Sequence, residues 1–193
     1  MVIVGTGIAP ATKFLEREET GIKLDAQGAV ICDPFLQSTA PDIYAAGDVC
    51  SFPYWQTGKQ TRVEHWINAL DQGSYAAFNM MGKFVPYGNI PFFWTRHYNK
   101  SLQYVGHCTS YDNVHIDGDV MAGKFIAYYI KDNKIQAVSG QGRSADLLTM
   151  FELFNQSKMP PASEIIEGYE TPQTLRRKLK QTPGLGCRRE GCC

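Results

Sequence analysis

The chain has 193 residues, with 19 Lys and Arg against 19 Asp and Glu, so no net field draws it to nucleic acid or to an anionic membrane surface. Hydrophobic residues make up 44% and aromatics 12%, which excludes a wholly disordered chain, and the length allows one large or two small cores. No uncharged apolar run approaches the roughly 18 to 20 residues of a membrane helix: the apolar start stops at Pro10, and the stretch 123–130 carries Lys124.

The start, Met1-Val2-Ile3-Val4-Gly5, has no basic segment ahead of its apolar core, which argues against a secretory signal. Cys32, Cys50 and Cys108 are isolated, while Cys187, Cys192 and Cys193 crowd the last seven positions, a spacing unlike a disulfide framework. A reducing, intracellular compartment is expected, mitochondrial or cytoplasmic.

In chain order, residues 1–7 form an apolar, β-branched run ending in Gly5-Thr6-Gly7, the pattern of a buried parallel strand that stops at a turn. A first core strand at residue 2 implies that a preceding unit is absent or lies on another chain. A short helix is expected over 13–19 and a second strand over 29–32. After a loop between Pro34 and Pro41, a third strand is expected over 43–48, closing on Gly47-Asp48. That would set a carboxylate at the carboxyl edge of a sheet, where open α/β folds bind ligands.

Residues 62–81 are the longest helical candidate, with Val63, Trp66, Ile67, Leu70, Ala77, Phe78 and Met81 forming a stripe expected to pack on the sheet and Gly82 as C-cap. Pro86, Gly88 and Pro91 read as a linker. Strands are expected over 92–94, 102–105, 114–116, 124–130 and 134–138, the last two joined by a tight Asp132-Asn133 turn. Helices follow over 144–154, with Ser144 as N-cap, and over 175–179. The expected fold is thus a partial α/β, Rossmann-like dinucleotide-binding lobe followed by an α+β C-terminal interface domain with an antiparallel sheet. The boundary falls near residue 84, giving 1–84 and 85–181, with a flexible Cys-rich tail at 182–193.

Gly5-Thr6-Gly7 is a bare G-x-G, with Pro10 where a third glycine belongs. A tight turn is the favoured reading, and Gly5 stays a cofactor-binding candidate. The segment Thr39-Ala40-Pro41-Asp42-Ile43-Tyr44-Ala45-Ala46-Gly47-Asp48-Val49 is more specific. It resembles the second flavin-binding motif, T-x-x-P-x-[IVL]-[YF]-A-x-G-D, of flavoproteins with two dinucleotide-binding domains. The resemblance implies that Asp48 accepts a hydrogen bond from a ribityl hydroxyl of FAD and that Gly47 lets the cofactor approach the backbone, with the adjoining Val49 a further cofactor-binding candidate. A helix or turn cap is the plain alternative for Asp48.

Downstream, Arg62-Val63-Glu64-His65-Trp66 through Gly73, and Ile90-Pro91-Phe92-Phe93-Trp94-Thr95, resemble segments of apoptosis-inducing-factor-like and ferredoxin-reductase-like NADH oxidoreductases. The Glu64-His65-Trp66 triplet is similar to that of the type-three, Rieske-linked branch. By this resemblance Glu64 lies near the flavin and nicotinamide groups, His65 and Trp66 pack beside the isoalloxazine, and Trp94 supplies aromatic cover. A helix beginning at Arg62 would offer free N–H groups and positive dipole to the pyrimidine edge of a reduced flavin. Plainer roles are a dipole-favoured acid for Glu64, a satisfied histidine for His65 and core aromatics for Trp66 and Trp94.

The resemblance implies FAD as cofactor, NAD(P)H as electron donor, and an iron–sulfur protein or domain, or a quinone, as acceptor. Both Gly-rich G-x-G-x-x-G turns of that family are missing from these residues, so the isolated chain is expected to bind FAD poorly and to need an amino-terminal lobe or partner subunit. The competing class is a cofactor-free truncated reductase fold acting as a structural or interaction module. The tail cysteines could form a metal clip or lipidation site, but a solvated flexible tail is the favoured reading.

Overall fold

The structure, a computed structural model, describes residues 1–181. The expected Cys-rich tail, including Cys187, Cys192 and Cys193, lies outside the described residues. The chain divides into two compact units, Met1–Asn89 and a second beginning at Ile90.

In the first unit, residues 1–10 hold no regular secondary structure. The strand expected there is corrected: Val2, Ile3 and Val4 are at least 75% exposed, and no described strand pairs with them. β-Branched residues favour a strand only when neighbours accept their backbone groups and cover their side chains. The helix expected over 13–19 is two 3₁₀ turns, Lys13–Leu15 and Glu18–Thr20.

β1, Val30–Ile31, runs parallel to β2, Cys50–Pro53, and β3, Gln60–Thr61, pairs antiparallel with β2. The strand expected over 43–48 is corrected as well. Tyr44 makes a single bridge to Gln37, and the chain then turns through a 3₁₀ segment, Gly47–Val49, before β2 begins. Asp42 at φ 59° and Gly47 at φ 80° interrupt the extended backbone at both ends of the run. The core of this unit gathers Val30, Cys32, Leu36, Cys50, Phe52, Tyr54, Val63, Ala76 and Tyr87. Cys32 and Cys50, isolated in sequence, meet there: a thiol hydrogen bond between them, reinforced by burial, pushes Cys50 up.

α1 spans Trp66–Met80, so the expected start at Arg62 moves one turn along the chain. β3 keeps residues 60 and 61 extended, and His65 is still extended at φ −151°. The C-cap of α1 is Met81, not the expected Gly82, which follows at φ 76° and donates its N–H to the Asn79 carbonyl at 2.9 Å. The expected inward face is reversed: Trp66, Leu70, Phe78 and Met81 are exposed, and the helix buries Asn68, Gln72, Ala76 and Asn79. Hydrogen bonds explain that choice. Asn68 Nδ2 donates to the Val63 carbonyl, Tyr87 Oη donates to Asn68 Oδ1, and Asn79 Nδ2 donates to the Phe35 and Val85 carbonyls.

The second unit is a five-stranded antiparallel sheet in the order β4-β5-β8-β7-β6, built from β4 Phe92–His97, β5 Lys100–Gly106, β6 Asn113–Asp119, β7 Lys124–Lys131 and β8 Lys134–Gln141. β7 and β8 pair through the expected hairpin, and Asp132 and Asn133, at φ 49° and 58°, supply the left-handed turn without a glycine. The helices are α2 Ser144–Asn155, α3 Ala162–Ile166 and α4 Pro172–Gln181. The N-cap of α2 is Arg143, not Ser144. Arg143 is committed to ion pairs with Asp117 and Asp146, and Arg176 of α4 also pairs with Asp146. Val105, Ile126, Tyr128, Val138, Leu147, Met150 and Leu153 are buried in one cluster between sheet and helices.

Candidate functional site

The residues singled out in the first unit converge on the turn between Tyr44 and β2. Gly47 is glycine for two local reasons: its φ is 80°, and a Cβ there would lie 3.2 Å from the Ala69 Cβ on α1. That close approach lets the buried Gly47 N–H donate to Gln72 Oε1 at 2.7 Å. Asp48 follows in the 3₁₀ turn with its side chain exposed. Its carboxylate accepts no hydrogen bond from the described residues, so no capping bond occupies it. Val49 packs against the core of the unit and anchors the turn from within.

Arg62 joins this turn to the segment ahead of α1. Its Nη1 donates to the Asp48 carbonyl at 3.4 Å and pairs with the Glu64 carboxylate. Glu64 precedes the helix, so the reading of it as a first-turn acid is corrected: the first turn of α1 holds none. His65 occupies the N-cap position and makes no side-chain cap bond. Burial lowers the His65 pKa, and the nearby Asp48 charge offsets part of that shift. Trp66 opens α1 and is 77% exposed. Among the described residues no acceptor takes its backbone N–H or that of Ile67, so the positive end of the helix dipole is open beside His65.

Gly47, Asp48, Val49, Glu64 and His65 are therefore brought together, with Trp66 at the adjoining helix start. Gly5 is not: it lies in the irregular segment with nothing within 4 Å of a Cβ built on it. Trp94 belongs to the second unit, on edge strand β4, where its ring lies 6.0 Å from that of Phe92. Sequence reasoning missed Arg62 and Gln72 as members of the site. A polar stripe at positions 68, 72 and 79, opposite the apolar one, was the signal that could have found Gln72.

The chain belongs to the pyridine nucleotide-disulphide oxidoreductase family: residues 1–73 match that family, and residues 92–171 match the reductase C-terminal domain. It is 37% identical to apoptosis-inducing factor 3 of Homo sapiens over 138 residues, which is 71% of this chain and 22% of that protein. Over 128 residues it is 34% identical to the 3-phenylpropionate/cinnamic acid dioxygenase ferredoxin–NAD(+) reductase component of Photorhabdus laumondii, 66% of this chain and 31% of that one. Among solved structures it superposes on the ferredoxin reductase for the CYP199A2 system from Rhodopseudomonas palustris with a TM-score of 0.77, at 26% identity, covering 90% of this chain and 41% of that one. The chain thus spans between about a fifth and two fifths of the length of these relatives.

Proposed function

We propose that this chain is the cofactor-holding C-terminal part of an FAD-dependent NAD(P)H oxidoreductase that passes electrons to an iron–sulfur acceptor or quinone. The observation that carries the reading is the exposed, uncapped Asp48 carboxylate on a clamped turn beside the open amino end of α1. These residues fit the ribityl and pyrimidine end of FAD: an acceptor for a ribityl hydroxyl lies next to N–H groups that stabilise negative charge. The relatives named as ferredoxin reductases support an iron–sulfur acceptor.

FAD, when bound, would take the hydride from NAD(P)H and release its electrons one at a time. The protein's part is to hold and orient. Asp48 would accept the ribityl hydrogen bond, and the N–H groups of Trp66 and Ile67 would hold the pyrimidine edge. Arg62 holds Glu64 beside His65, and burial lowers the His65 pKa, which favours the neutral imidazole. Trp66, exposed at the start of α1, would give apolar cover to the ring. The pyrophosphate and adenine of FAD need a Gly-rich turn that these 193 residues do not supply.

The second reading, a cofactor-free structural module, is favoured by the exposed apolar segment 2–4. The visible absorption of the purified protein separates the two. The chain joined to an amino-terminal lobe carrying the Gly-rich turns is expected to retain flavin. A completed chain that stays colourless after incubation with FAD rules out the oxidoreductase reading.

A further inference from the structure

We propose that Gln72 and Arg62 are positioning residues that grip the Gly47–Val49 turn at two points, so that the Asp48 carboxylate meets a ribityl hydroxyl at one fixed angle. The inference rests on the reading of Asp48 given above.

Gln72 Oε1 accepts the Gly47 N–H at 2.7 Å, and Arg62 Nη1 donates to the Asp48 carbonyl at 3.4 Å. Both soft torsions of Gly47 and both of Asp48 lie between those two anchored atoms. Glycine at φ 80° is otherwise the freest residue the chain can place there, so the turn gains its rigidity from outside itself. Asp48 projects from the gripped segment into solvent and is not tied down by any described donor.

The cost of the grip argues for its use. Gln72 is fully buried, and among the described residues its Nε2 has no partner; Arg62 Nε is likewise buried and unpaired among them. An apolar side chain of similar volume would fill the Gln72 site but leave the buried Gly47 N–H without its acceptor, so packing alone does not account for the amide. Local violations of this kind are expected where a site needs a backbone held in one place.

Amide hydrogen exchange on the 193-residue chain tests the grip directly. In Gln72→Met the Gly47 amide is expected to exchange about tenfold faster, while Ala76 in α1 and Ile126 in the second unit keep their protection. Gln72→Glu, which keeps the acceptor oxygen, is expected to restore Gly47. Unchanged exchange at Gly47 in Gln72→Met overturns the proposal, and so does a uniform loss across α1, which would make Gln72 a support of the helix. In the chain completed with its amino-terminal lobe, Gln72→Met and Arg62→Gln are each expected to weaken FAD binding about three- to tenfold. Full FAD affinity in Asp48→Ala would sink the reading of Asp48 and leave the exchange result standing.

Discussion

Asp48 bears the largest share of the proposed binding at the residue scale, because its carboxylate is free to accept a charge-assisted hydrogen bond. Such a bond is worth about 1.5 to 3 kcal/mol, so Asp48→Ala should weaken FAD binding about ten- to a hundredfold in the completed chain, read by flavin fluorescence titration. His65 gives an independent check on the same neighbourhood. Burial lowers its pKa and Asp48 raises it, so Asp48→Asn should move the NMR titration midpoint of His65 further down. The folded value lies below the unfolded one, so His65 contributes stability that is present above about pH 6.5 and is lost as pH falls through the folded value. Half-buried His107, whose pKa burial also lowers, adds to that acid-side loss. Asp48 and Gly47 were singled out in the sequence because the contiguous segment 39–49 resembles a flavin-binding motif. Arg62 and Gln72 were not, because each reaches the turn from a distance, 14 and 25 residues along the chain.

Among the elements, α1 shows what periodicity alone does not decide. The apolar stripe through Trp66, Leu70 and Phe78 is present, but the buried face is the one whose Asn68, Gln72 and Asn79 satisfy main-chain groups in neighbouring loops. A stripe of apolar residues marks a face that gains by burial; which surface is at hand to bury it is a tertiary matter. The hairpin and sheet of the second unit were legible because strand alternation and turn chemistry act over a few residues. The last strand carries a sharp steric limit: a Cβ on Gly140 would stand 2.5 Å from the Phe125 carbonyl oxygen and 3.2 Å from Leu147 Cδ1. Gly140→Ala should therefore cost about 1 to 3 kcal/mol, measured by urea unfolding. Asp146 joins Arg143 and Arg176, linking α2 to α4. Asp146→Ala leaves two partly buried guanidinium groups without that partner and should destabilise the second unit by about 1 to 3 kcal/mol in the same assay.

For the whole molecule, the alignment with apoptosis-inducing factor 3 takes in 71% of this chain but only 22% of that relative, and the proposal gives these residues one end of a flavin to hold. The shift from buried runs closing on glycine to short alternating strands located two differently built halves in the sequence. The contacts that would order residues 2–4 were not legible, because a strand pattern does not record whether its neighbours are present. The 193 residues alone should give no NADH-dependent acceptor reduction, whereas the chain completed with a lobe bearing the phosphate-binding turns should turn over. The most direct test of the central claim is the flavin content of that completed chain, read from its visible absorption after gel filtration, with and without Asp48→Ala. Near-stoichiometric FAD in the parent and a marked loss in Asp48→Ala is the predicted result; equal flavin in both, or flavin in neither, contradicts the account.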